Sequence, residues 1–465
     1  MSERILQVSG LYAKVGGAEV YMHRLIDALR ERGLCVGVFG GSPEVEIDEE
    51  ETCVIRRPDF DAAALIQDEA VSEAFVAFCD RFRPDLIHAH NISSFPADFA
   101  RTVRSIGVPV VQTVHEWGLL CPNAWCVLPD GSVCEGGPGM KCLQNGCESN
   151  YPFDGRILTS AILRYNLTPR SFDRFICPSQ ALARDLGRHG YPGLVELPYW
   201  AEQGEGATTS ANADRDPDLI LFLGRLVREK GVEYLVRAMP MVLEKRPSAR
   251  LAIVGGGSDQ ERLEGIAKDL RLGDRVVFHG RVPHEQVQSY FRRAWVNVLP
   301  SIWCENSPVT CYESYLSGLP MIASDIAGLP AMVVEGETGL LARPRDSEHL
   351  AERLVEILGD RELHGRLAAG CIEALGRYRK DDHIDQILAL YGEMLESASR
   401  KDAAQDASGP GHSLLDEDVV GILDRTLREY TRIESWAVGM KKHIDWMESK
   451  EPPSGFARLV RKLKG

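Results

Sequence analysis

Short apolar runs alternate with helical patterns along most of this chain. Residues 5–8, 36–39, 86–88 and 108–114 are apolar runs of strand length. Residues 20–32, 97–106 and 180–190, between or after them, repeat apolar positions at helical spacing. Such a βαβ series builds a mostly parallel sheet with helices on both faces. The pattern breaks at 201–217, a stretch of small polar residues with no apolar period, which reads as a linker. The alternation then resumes. Strands are expected at 219–223, 250–254, 276–278, 296–299 and 321–323, and helices at 233–245, 260–270, 284–294, 311–317 and 347–358.

The expected fold class is therefore α/β, with two Rossmann-like doubly wound domains, residues 1–200 and 218–378, facing a cleft. A helix at 379–400 is expected to cross back to the first domain. Residues 401–465 form a helical tail, and 456–464 make it end as a short basic amphipathic segment. In such folds ligands bind outside the carboxyl ends of the strands.

Composition narrows the function classes. The chain has 465 residues, 44% hydrophobic and 26% charged, which describes an ordinary globular protein. A net charge of −15 argues against a general nucleic-acid binder. The N-terminus moves straight into a strand pattern without a secretory signal, and no apolar run reaches the roughly 18 residues of a membrane span. A cytoplasmic location is expected. The basic tail end suits weak attachment to an anionic membrane surface. Twelve cysteines in a reducing compartment point to thiols or metal ligands before disulfides.

The chemistry gathers at strand ends. Glu305 falls in a loop past a strand, and Glu313 about two turns into the next helix. A carboxylate accepts two hydroxyl hydrogen bonds, so the spaced pair can grip two polyols, and the helix opening between them suits a phosphate. Taken alone, each is an ordinary surface charge. Arg225 and Lys230 follow the first strand after the linker and flank a helix start at Gly231. Two cations beside a helix dipole are what a diphosphate leaving group needs. A second glycine turn, Val254-Gly255-Gly256-Gly257, lacks the Gly-x-Gly-x-x-Gly of a dinucleotide loop.

Order makes these fragments specific. Gly16-Gly17-Ala18-Glu19, Asp85-Leu86-Ile87-His88-Ala89-His90, Thr113-Val114-His115-Glu116, Gly224-Arg225…Lys230-Gly231, Phe278-His279-Gly280, Glu305-x7-Glu313 and Glu337-Thr338-Gly339 occur in that sequence. The series resembles the retaining family 4 glycosyltransferases of the GT-B fold, over roughly residues 4–395. The resemblance implies the following roles. Arg225 and Lys230 neutralise the donor diphosphate, and Glu313 binds the ribose. Glu305 holds hydroxyls of the transferred sugar, and the backbone of Ser307, Pro308, Val309 and Thr310 reaches sugar and phosphate. Gly16 and Gly17 let a loop approach the diphosphate, and His115 faces the anomeric centre. Gly256 lies on the donor side, with Arg281 and Val282 bordering the base. It implies a nucleoside diphosphate sugar donor, a glycan or lipid-linked acceptor, and no cofactor required for catalysis.

One insert stands apart. Cys121, Cys126, Cys134, Cys142 and Cys147 share a Gly/Pro-rich loop, residues 121–147, with no core of its own. Four thiolates at such spacing suit a structural zinc, with Cys121, Cys134, Cys142 and Cys147 as ligands and Cys126 spare. The expected function is a retaining sugar transfer in cell-envelope or exported polysaccharide assembly. The alternatives are an epimerase-like nucleotide-sugar enzyme and an inactive glycan-binding scaffold.

Overall fold

The computed structural model describes residues 3–12, 16–42, 44–56, 68–149, 155–201 and 215–406. Most of the 201–217 stretch, and the tail beyond 406 with its basic end, lie outside the described residues. The first sheet has eight strands: β1 (Arg4–Ser9), β2 (Cys35–Ser42), β3 (Ile47–Asp48), β4 (Thr52–Arg56), β5 (Leu86–Ala89), β6 (Val110–Thr113), β7 (Arg174–Cys177) and β8 (Leu194–Glu196). Their spatial order is β3-β4-β2-β1-β5-β6-β7-β8, parallel except where β3 meets β4. Both faces are covered, so β1, β5 and β6 are almost wholly buried and their sequences run apolar rather than alternating.

The helices of this half are α1 (Gly17–Glu31), α2 (Glu69–Phe82), α3 (Phe99–Ser105), α4 (Met140–Gln144), α5 (Gly155–Ser171) and α6 (Gln180–Arg188). Asp68 caps α2 by accepting from the Val71 amide, and Ser179 caps α6 through the Leu182 amide. A stacked and edge-on cluster of Phe39, Phe75, Phe95 and Phe99 fills the space between α2, α3 and the sheet.

A second, six-stranded parallel sheet follows: β9 (Leu219–Leu223), β10 (Arg250–Val254), β11 (Val276–Gly280), β12 (Val296–Leu299), β13 (Met321–Ser324) and β14 (Gly339–Ala342), ordered β11-β10-β9-β12-β13-β14. The order reverses between β9 and β12, which opens a crevice at their carboxyl ends. Helices α7 (Val232–Lys245), α8 (Gln260–Asp269), α9 (His284–Arg293), α10 (Val309–Leu316), α11 (Leu329–Met332), α12 (Ser347–Gly359) and α13 (Arg361–Ala374) surround it. Finally α14 (Lys380–Asp406) returns to the first half. Lys380 pairs with Glu31 at 2.8 Å, Arg32 with Asp385 at 2.6 Å, and buried Tyr391 reaches His88 at 2.6 Å. No described helix is long and apolar enough to cross a membrane.

Candidate active site

The two sheets face each other across a cleft of about 510 Å³. Two helix N-termini open into it. Gly16 and Gly17 begin α1 from one side, and Pro308, Val309 and Thr310 begin α10 from the other. A methyl group on Gly17 would stand 3.2 Å from Val309 Cγ2, so the two helix starts approach closely enough that any side chain there would crowd Val309. Aligned amides at two helix starts favour an anion between them.

The turn after β9 supplies the cations. Arg225 is largely exposed and stands 3.9 Å from Glu229. Gly231 is left-handed (φ 64°), and a Cβ there would lie 1.9 Å from the Pro300 carbonyl. Only glycine lets this turn lie against the end of β12, and that contact brings Lys230 to Glu305. Lys230 Nζ meets Glu305 Oε1 at 2.6 Å, and Ser301 Oγ donates to the same oxygen at 2.7 Å. Glu305 is 5% exposed. Burial pushes its carboxyl up, but the Lys230 charge and the hydrogen bonds to it win and hold it below the usual glutamate value. Lys230 and Glu305 are therefore a buried ion pair.

His115 enters from the loop after β6. Its Nδ1 lies 2.5 Å from the Tyr199 hydroxyl and its Nε2 3.2 Å from His90 Nδ1. Burial pushes its pKa down to about 3, so the ring is neutral throughout the physiological range. Glu116 and Glu19 also line the cleft. Burial raises both carboxyls. Each is also opposed by Arg225, and Glu19 pushes Glu116 up further.

The structure thus gathers His115, Arg225, Lys230, Glu305, Gly16, Gly17 and residues 307–310 around one space. Glu313 is placed differently. It lies one turn deeper in α10, outside the cleft wall and half-buried, with burial raising its carboxyl to about 7 against a smaller pull from Arg24. Gly256 and Arg281 sit together, a Cβ on Gly256 falling 3.2 Å from Arg281 Cγ, but neither they nor Val282 line the cleft.

Sequence reasoning missed Asn306. Its Nδ2 donates to the carbonyls of Val114 (3.2 Å) and His115 (3.0 Å), and its Oδ1 accepts from Ser179 Oγ (2.6 Å). The amide of Cys304 donates to the Trp125 carbonyl at 3.0 Å. The Glu305 loop is thereby tied on both sides to the first half of the chain. Tyr199, Asn91 and Trp303 also line the cleft and carry no local sequence signal.

The cysteine insert packs beside this loop. Cys304 Sγ donates to the Cys126 carbonyl at 3.6 Å, and Cys142 and Cys147 join Leu143, Leu158 and Ile162 in a small apolar cluster. Cys121 Sγ donates to Asn123 Oδ1 at 2.9 Å. Among the described residues no three His, Cys, Asp or Glu side chains assemble into a group that could hold a metal ion. Cys121, Cys134, Cys142 and Cys147 nevertheless lie near enough to act on one another: besides burial, Cys121 and Cys134 both push the Cys142 and Cys147 thiols up. The insert's apolar cluster is completed by Leu158 and Ile162 of α5.

Comparison with known proteins agrees with this geometry. A family model for "Glycosyltransferase Family 4" matches residues 15–197, and one for "Glycosyl transferases group 1" matches 208–373. A D-inositol 3-phosphate glycosyltransferase of Acidothermus cellulolyticus is 33% identical over 415 residues, covering 84% of this chain and 88% of that protein. The chain belongs to glycosyltransferase family 4. This family 4 protein is a hexosyltransferase-type glycosyltransferase of the GT-B fold. Among solved structures, sucrose-phosphate synthase from Thermosynechococcus elongatus superposes with a TM-score of 0.62 at 23% identity, over 85% of this chain and all of that one. Anabaena Alr3699/HepE in complex with UDP gives 0.60 at 18% identity, over 84% of this chain and all of its own.

Proposed function

We propose that this glycosyltransferase moves a hexose from a nucleoside diphosphate donor to a hydroxyl of a glycan or lipid-linked glycan, with retention of configuration, in cell-envelope or exported polysaccharide assembly. The observation that carries it is the cluster of Arg225, Lys230 and two helix N-termini around one cleft, facing His115. The diphosphate fits between the helix starts, where Arg225 is exposed and free to swing onto it. Lys230 is pre-positioned by Glu305, so it need not reorganise when charge develops. Glu305 keeps lone pairs for sugar hydroxyls, and Glu313, one turn further along α10, is the ribose anchor in this reading. Solved relatives described as complexes with UDP, UDP and glucose, and UDP-glucose support this class of donor.

The chemistry follows from how the reactive groups of the cleft are held. Both ring nitrogens of His115 are engaged, by Tyr199 and His90, Glu305 is held in an ion pair, and burial raises Glu19 and Glu116 toward their protonated forms, which disfavours all four as nucleophile. The acceptor oxygen attacks the anomeric carbon from the leaving-group side as the bond to the phosphate oxygen breaks. The diphosphate takes that electron pair and the acceptor proton, while the cations and helix dipoles stabilise its charge.

A thermal-shift series with nucleoside diphosphates and their sugars tests the reading. A donor at about one hundred times its Kd should add about 2.7 kcal/mol of stability. Lys230→Ala should abolish most of the shift. A protein that no nucleoside diphosphate or nucleotide sugar stabilises would sink the proposal.

A further inference from the structure

Ten polar groups form one hydrogen-bonded series behind the cleft. It starts at the Pro198 carbonyl, which can only accept. His383 Nδ1 lies 2.8 Å from that carbonyl and therefore carries the proton. His383 Nε2 is then bare and accepts the Tyr21 hydroxyl at 2.9 Å. With its proton so committed, the Tyr21 oxygen can act only as an acceptor toward the nearby Thr113 hydroxyl. Thr113 Oγ1 in turn accepts from His88 Nε2 at 2.7 Å. His88 Nδ1 is left bare and accepts the Tyr391 hydroxyl at 2.6 Å. Tyr391 oxygen accepts from Gln7 Nε2 at 3.4 Å, and Gln7 Oε1 accepts from His90 Nε2 at 2.7 Å. His90 Nδ1 then accepts from His115 Nε2 at 3.2 Å, and His115 Nδ1 accepts the Tyr199 hydroxyl at 2.5 Å. Every donor meets one acceptor, and the fixed carbonyl leaves one direction for the whole series.

We propose that His383 and Tyr391 of α14 are positioning residues that set the proton arrangement of His115, holding it as the Nε2–H tautomer with a bare Nδ1 facing the Tyr199 hydroxyl. The inference rests on the proposed donor site and adds a specificity to it. His115 can meet a sugar only by accepting at Nδ1, in place of Tyr199. A sugar group that takes the place of Tyr199 must be a hydroxyl that donates; against a carboxylate or a deoxy position Tyr199 keeps the nitrogen.

Groups facing His115 do not compete for this role. His90, Tyr21 and Tyr199 pack against its ring, with Glu116 next in the chain. Burial drives His88 down to about 3 and His383 to about 4, which keeps the series uncharged at neutral pH.

Two measurements on the full-length protein decide it. Long-range ¹H–¹⁵N spectra of ¹⁵N-histidine protein at pH 7, assigned with single His→Gln variants, should show His88, His90 and His115 neutral and protonated at Nε2, and His383 protonated at Nδ1. The opposite tautomer at His115, or a charged ring, overturns the proposal whether or not any donor binds. Tyr391→Phe cuts the series in the middle. It should leave His88 as Nε2–H, give His90 and His115 mixed tautomers, and lower kcat on the order of tenfold to a hundredfold at nearly unchanged acceptor KM. His383→Phe, which keeps ring volume, should mix all three rings. If both variants fold and keep the wild-type tautomers and kcat, α14 does not set His115.

Discussion

The Lys230–Glu305 pair shows how a single residue contact decides the site. Both charges are mostly out of water, so each counts on the other, and Ser301 beside Glu305 offers only a neutral partner. Breaking such a pair typically costs about 3–5 kcal/mol, since the survivor is left buried and uncompensated. Lys230→Met should therefore destabilise strongly in urea unfolding at pH 8. The pH dependence has a definite sign. In the wild type Glu305 titrates below its usual value, so its contribution is present above the unfolded glutamate pKa and is lost as pH falls through the folded one. In Lys230→Met the burial effect is opposed only by the hydrogen bonds from Ser301 and Trp303, so the carboxyl rises, and the penalty should shrink on acidification from pH 8 to 5.

Glu313 runs the other way. Its folded value of about 7 lies above the ordinary 4.5, so the folded chain holds a proton that the unfolded chain releases. Its contribution is full below about 4.5 and is lost as pH rises to 7. Glu313→Gln should raise Tm at pH 8 and leave it nearly unchanged at pH 4.5. Ribose hydroxyls donate to the ionised form, so donor binding at pH 6.5 should release a proton, read by calorimetry in buffers of different ionisation heat. Glu313→Gln should remove that release. Residues of this kind were readable from the order of motifs. Asn306 was not, because its partners Val114, His115 and Ser179 come from another sheet and more than a hundred positions away.

At the scale of elements, sequence patterning worked where burial is complete on both faces. The predicted 219–223 and 250–254 match β9 and β10, and 5–8 lies inside β1. It failed at the margins of the first sheet. β3 and β8 are two and three residues long and only part-buried, too short to show a period. α5 follows the cysteine insert, and its mixed polar and apolar residues with Pro169 near the end hide its face. The glycine turns carry a sharper prediction. Gly231→Ala must accept a left-handed backbone, at roughly 1–2 kcal/mol, and displace the Pro300 carbonyl as well. It should lower Tm and turnover together, since the same turn positions Lys230. Gly265→Ala, with nothing near its Cβ and a helical backbone in α8, should be neutral or slightly stabilising.

For the molecule as a whole, the two sheets were readable as two units and a helix crossing back was expected at 379–400, while the residue contacts that attach the halves were not readable. α14 and the 304–306 loop make that attachment through side chains whose partners no local pattern announces. Asn306→Ala removes three hydrogen bonds between the halves without touching a charge. It should raise donor KM and broaden the particle in small-angle scattering more than it lowers Tm.

The strap at 304–306 has a consequence for water. Glu305 lies between Cys304 and Asn306, and both of those residues hold to the first half through Trp125, Val114, His115 and Ser179. If the halves part, the Glu305 carboxylate loses its frame at the moment solvent enters. A nucleotide sugar caught in an open molecule would then be held by its phosphates alone, with its anomeric carbon unaligned. Spontaneous hydrolysis of the donor should stay slow for that reason, and loosening the strap should slow transfer without a leak of sugar to water.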